Sequence, residues 1–274
     1  MLGAPLFVGP ALDSAWSQRC VDLRRAVDRL SNISSQEALI LLRASFSAPR
    51  VLHLLRCSPS KDHPALEMFD SQLRSPVCHI TNSRLSDGLW LQASLPVKEG
   101  GLGVRRAASL AHPAFLASAA RTLSLQASIL TGCSVSIPDC HFLQAYLLDW
   151  SARFGTPPDQ LPPKQTFWDR PVVASERAHV QSCLDSTFQL ASILATTSRH
   201  SGDWLFVLPI ASCGLILDDE AVRVAVRLRL GLDLCAPHLR RCSSPVDARG
   251  QHSLVCKQAP GRSSRHHMLI DLIA

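Results

Sequence analysis

The chain has 274 residues, 46% of them hydrophobic and 18% charged, a balance that excludes a disordered polymer and suffices for a sizeable core. Net charge is +6, and its placement says more than its size: nine Lys/Arg stand against three Asp from residue 221 to 274. The whole excess therefore sits at that end, and a basic end on a neutral body is suited to phosphate-bearing partners.

Aromatic residues are scarce, at 5% with one tyrosine, and the apolar load is Leu, Ala and Val, which favours helix over strand. Ten cysteines lack the rhythm of a disulfide scaffold in a chain of this length, so a reducing, intracellular setting is expected. Residues 1–12 have no basic leader, and the longest apolar run, Trp204 to Leu217, is broken by Pro209 and Gly214. It is too short to span a bilayer, and no membrane partner is expected.

In chain order, Trp16, Cys20, Leu23, Val27 and Leu30 recur at spacings of three and four, which predicts an amphipathic helix from about Asp13. Ser34 and Glu37 form a capping-box pattern that opens a helix from Ala38 to Phe46. Pro49 ends it and starts a second piece, Arg50 to Cys57. A short helix is expected over Pro64 to Leu73, then weak patterning with a turn at Asp87-Gly88. Gly100, Gly101 and Gly103 predict a backbone elbow before a long helix, Ala107 to Leu130, in which Pro113 is placed to start a helix. No strand or Walker spacing supports a phosphate loop there.

A helix is expected over Asp139 to Phe154, and Gly155 to Pro171, with five prolines, reads as a linker. Helical periodicity resumes from Ser175 to Thr197. Trp204 to Leu217 reads as a buried extended segment, after which Asp218 caps a helix from Asp219 to Leu230. Arg223, Arg227 and Arg229 on that helix begin the basic region. The predicted fold is mainly α, divided as 1–133, a proline-rich region at 134–174, a helical segment at 175–230 and a basic Cys/His module at 231–274.

Asp218-Asp219 could be compared with paired metal-binding aspartates, but acids in a first helical turn favour the positive end of the helix dipole, and capping is expected. Seven histidines from His53 to His200 stand apart from any nucleophile, and no serine elbow or H-E-x-x-H occurs, so no catalytic site is expected. The C-terminal module is different. Cys242, His252 and Cys256 give C-x9-H-x3-C, a set of donors that suits zinc, with Cys235 as the natural fourth ligand and His238 or His266 as competitors. Gly250 would let the chain turn back toward the metal. Arg240, Arg241, Arg249, Lys257, Arg262, Arg265 and His266 are the candidate contacts to RNA or DNA.

Three stretches together resemble one family: ISSQEALILLRASFSAPRVLHLLRCSP (33–59), GGLGVRRAASLAHPAFLASAA (100–120) and the Cys/His end closing on GRSSRHHMLIDLIA (261–274). They look like the region downstream of the polymerase palm in reverse transcriptase proteins of non-LTR retrotransposons, such as those carried by arthropod genomes. The resemblance implies a helical thumb-like domain over 1–133 and a zinc knuckle at 231–274, with Cys242, His252 and Cys256 at ligand positions and Arg265-His266 matching the Arg-His that follows. Arg240 stands where that family has a further cysteine. The palm and the endonuclease, expected before and after these residues, are the implied missing partners. The chain is accordingly expected to bind nucleic acid without enzymatic activity of its own. A decayed transposon reading frame without selected function, or a helical protein-interaction module, are the alternatives.

Overall fold

A computed structural model describes residues 3–131 and 141–258. The chain is mainly helical: α1 (Pro10–Leu30), α2 (Ser35–Leu41), α3 (Ala48–Cys57), α4 (Ala65–Thr81), α5 (Asp87–Ser94), α6 (Ala107–Thr131), α7 (His141–Phe154), α8 (Gln165–Ser182), α9 (Thr187–Thr196) and α10 (Asp219–Leu230). A two-residue hairpin, β1 (His238–Leu239) and β2 (Pro245–Val246), and a short α11 (Gln251–Val255) follow.

The largest core is made by the stripes that the sequence implies. Leu12, Trp16, Cys20 and Leu23 of α1 bury against Phe69, Leu73, Val77 and Ile80 of α4, with Val51, Leu54 and Leu55 of α3 and Val222 and Val226 of α10. Each such side chain contributes about 1.5–3 kcal/mol on burial. The polar end of Trp16 is satisfied by Ser60 Oγ at 3.1 Å. A second cluster joins Leu116 of α6 to Tyr146 and Trp150 of α7 and Trp168 of α8. A third sets Leu95 beside Val173, Val180 and Ile193.

The capping box at Ser34 and Glu37 forms in both directions. Beyond α2 the helix widens into a π turn at Leu42–Phe46, with the Ser47 amide donating to Leu42 O at 2.9 Å, before Pro49 helps start α3. The whole run Ser35–Cys57 is long and apolar enough to cross a membrane by length and composition. Its Leu39, Leu42, Val51, Leu54 and Leu55 nevertheless lie in the protein core.

Several elements differ from expectation. α4 runs on through Pro76 to Thr81, because Val77 and Ile80 continue its buried stripe and their burial outweighs the hydrogen bond that proline removes. Asp87-Gly88 opens a helix rather than a turn, with Ser86 accepting from the Leu89 amide. Pro113 lies inside α6, whose start is set at Ala107. The proline-rich region holds α7 and the first half of α8, and Trp150 and Trp168 anchor it to α6. Residues 132–140, including the expected helix start at Asp139, lie outside the described part. The segment from Trp204 to Leu217 is two short 3-10 turns joined by extended chain, and it is largely exposed: Phe206, Leu208 and Ile216 each show more than half their surface while Leu205 is buried. Its apolar composition reported hydrophobicity, not a partner to pack on.

Candidate metal centre

The hairpin, its turn and α11 are short elements that place three donors together. β1 pairs antiparallel with β2, His238 opposite Val246 and Leu239 opposite Pro245. Between them the chain turns tightly: the Ser243 amide donates to Arg240 O at 2.8 Å and the Arg240 amide to Ser244 O at 3.1 Å. Ser243 adopts φ 59°, so Cys242 is presented at the tip. After β2, Ala248 O accepts from the Leu234 and Cys235 amides, tying the module's entry to its exit. Gly250, at φ 68°, reverses the chain into α11 as expected, and Asp247 Oδ1 accepts from the Gln251 amide at 3.0 Å. His252 and Cys256 then lie four residues apart, on one face of a helical turn.

Cys242 Sγ lies 3.1 Å from His252 Nε2 and 3.7 Å from Cys256 Sγ, and the three donor atoms all fall within 4.8 Å of one another. A zinc ion at about 2.3 Å from sulfur and about 2.0 Å from nitrogen has tetrahedral edges of about 3.8 and 3.5 Å, close to these separations. Two thiols and an imidazole are also the soft to borderline donors that such an ion selects. Cys256 and Val246 are buried, while Cys242 and His252 are half-buried. The Ser244 amide first, and then His252, pulls the Cys242 thiol down to about 6, toward the thiolate that a metal requires. These three residues could hold a metal ion.

The other candidates are placed differently. Cys235 Sγ points to the carbonyls of Asp247 and Ala248, at 3.5 and 3.8 Å, and lies outside the three-donor group. Its role here is to close the base of the module. His238 Nδ1 engages Ala236 O at 2.9 Å on an exposed strand and does not join the group either. Of the expected nucleic-acid contacts, Arg241 and Lys257 are exposed, and Arg240 and Arg249 are half-buried beside the donors in sequence. Arg262, Arg265 and His266 lie outside the described residues.

Two cations of the basic region belong instead to the fold. Arg227 donates to Asn82 O and Ser83 Oγ at the end of α4. Arg229 is buried and donates to the carbonyls of Gly101, Ser201, Val97 and Thr196. Asp218 caps α10 as expected, accepting from the Ala221 amide at 2.7 Å, whereas Asp219 reaches across to the start of α2 and accepts from the Ser35 amide at 2.8 Å. The Asp219 carboxyl is accordingly held below the usual carboxylate range, chiefly by that Ser35 bond.

Sequence reasoning missed the structural arginine at 229, although Val222, Val226 and Arg229 share one helical face at spacings of four and three. It also missed Asp70. This buried carboxylate accepts from the Ala107 and Ala108 amides at 2.6 and 3.1 Å, and so starts α6 from another helix. Position 70 carries no local signal of that role.

Comparison with protein-family models, with curated proteins and with solved structures gives no match.

Proposed function

We propose that this chain is a nucleic-acid-binding protein of the non-LTR retrotransposon reverse transcriptase type, a helical thumb-like body carrying a zinc-ordered basic knuckle. The observation that carries this reading is the convergence of Cys242, His252 and Cys256 from a hairpin turn and a helix, among Arg240, Arg241, Arg249 and Lys257. When bound, zinc would supply a crosslink between the turn and α11. The chain's own residues do the rest: the Gly250 reversal and the Asp247 cap aim the helix at the turn, and the cations meet phosphate. The same reading gives the chain no polymerase or nuclease chemistry, supported by the engagement of Asp218 and Asp219 in helix capping.

The test has two arms. Purified protein should carry about one equivalent of zinc, as expected of a structural site, and Cys256→Ser should lower it severalfold. Less than half an equivalent, unaltered by that substitution, would remove the knuckle. Labelled RNA or duplex DNA should bind with a salt slope of about −3 to −4, from roughly four phosphate contacts. Arg241→Glu with Lys257→Glu should weaken binding and flatten that slope, and a flat slope in the unaltered protein would remove nucleic acid as the partner.

A helical protein-interaction module is the second reading, favoured by one observation: the exposed apolar side chains Phe206, Leu208, Ile210, Leu215 and Ile216.

A further inference from the structure

A cavity lies between α9, α10 and the entry to the knuckle, and none of the three donors lines it. Its volume is about 440 Å³, within the range of small-molecule sites, which runs from about 300 to 1,000 Å³. The walls are largely apolar, with Phe188 and Ala195 from α9, Leu228 from α10, and Trp204, while Ser192, Thr196, Ser201 and Gln251 add neutral polar groups. Two guanidinium groups, Arg229 and Arg249, also line it, and no carboxylate does.

The two arginines differ in what they can offer. Arg229 forms the floor. Its four bonds are all to neutral backbone carbonyls, and among the described residues it makes no ion pair. A guanidinium has five N–H donors, so one Nη1 hydrogen is left over, and a buried positive charge has only carbonyl dipoles to balance it. Arg249 forms the rim. It lies over the Phe188 ring, 5.6 Å from the centroid, and within the described residues has neither an ion pair nor a side-chain hydrogen bond. It also borders two adjoining cavities, of which one contains a carboxylate, Asp233.

A largely apolar, aromatic-walled cavity with two cations that make no ion pair among the described residues attracts a particular kind of molecule. Its body removes apolar surface from water against Phe188, Trp204 and Leu228, and its charge meets guanidinium in charge-assisted hydrogen bonds. A neutral apolar molecule would leave the cations unanswered, and a small inorganic anion would leave the walls wet.

We infer that this cavity is a binding site for a small organic anion with a flat apolar body, its ring against the α9–α10 walls and its charge at Arg249 and Arg229. The site is independent of metal binding. Because Arg249 comes from the knuckle and Phe188 from α9, an occupant joins the module to the helical body.

Calorimetric titration of the full chain at pH 7 with 2-naphthoate, and with its neutral analogue 2-naphthalenemethanol, tests this directly. Naphthoate should saturate one site and bind at least about tenfold more tightly than the alcohol, the worth of a charge-assisted bond. Arg249→Gln should reduce naphthoate toward the alcohol's affinity. Ala195→Trp, at an exposed wall position, should block both ligands while leaving the melting temperature close to that of the unaltered protein. Equal binding of acid and alcohol, no binding of the acid, or unaltered binding by either variant overturns the inference. The comparison of the two ligands needs no variant, so it stands even if a substitution disturbs folding.

Discussion

Replacing Arg229 by methionine is the most demanding test of how the fold is held. The substitution keeps much of the side chain's apolar length but removes a guanidinium that joins four carbonyls from three places in the chain: Val97 and Gly101 in the elbow, Thr196 at the end of α9 and Ser201 beyond it. A hydrogen bond to a charged group contributes about 1.5–3 kcal/mol, so four would sum to about 6–12 kcal/mol if nothing answered their loss. Two effects reduce that figure. Burial already opposes the charge, holding the Arg229 guanidinium below its usual value, so its removal recovers desolvation cost. The cavity beside it admits water to some of the abandoned carbonyls. The net expectation is a loss of about 3–5 kcal/mol. Arg229→Lys should cost about 2–3 kcal/mol, since one ammonium cannot span carbonyls that a planar fork reaches. Arg223→Met, on the same helix but paired with Glu220 at 3.7 Å near the surface, should cost less than about 0.5 kcal/mol. Urea unfolding with a shared m-value is the assay. If Arg229→Met falls within about 0.5 kcal/mol of Arg223→Met, the four-carbonyl clamp does not hold the elbow to α9 and α10.

Other outcomes follow from single contacts. A Cβ at Gly101 would meet Leu95 O at 2.0 Å, so Gly101→Ala should destabilise by more than about 3 kcal/mol, whereas Gly88→Ala meets open space inside α5 and should stabilise by about 0.5–1 kcal/mol in the same unfolding series. Ser34→Ala breaks the capping box and should cost about 1 kcal/mol. Burial pushes the Asp70 carboxyl up to about 6, so between about pH 4 and 6 the folded state holds a proton that the unfolded state has released. Stability from this group therefore falls as pH rises through that window, by up to about 3 kcal/mol. Asp70→Asn should remove that part of the slope; identical pH profiles for the two proteins would show that Asp70 is not its source.

Much of the local structure was legible because its causes are local. The α1 stripe from Trp16 to Leu30, the Ser34 capping box, the Asp218 cap and the Gly250 reversal each depend on residues within one or two turns. Cys242, His252 and Cys256 were legible for a similar reason, since a hairpin and one helical turn suffice to gather donors spaced C-x9-H-x3-C. What the sequence left open depends on surfaces brought from far away. Whether α4 passes Pro76, and whether the region 204–217 is covered, was decided by what packs on them. So was the fate of the charges. Composition placed nine cations after residue 220, but it could not show that Arg227 and Arg229 would serve helix ends in the body while Arg249 lay over the Phe188 ring at a cavity. Nor could it show that Cys235 would turn to the carbonyls of residues 247 and 248 instead of joining the other donors. Spacing along the chain determines which faces and turns can form, whereas burial and hydrogen bonding between distant segments determine which polar groups remain available to a ligand.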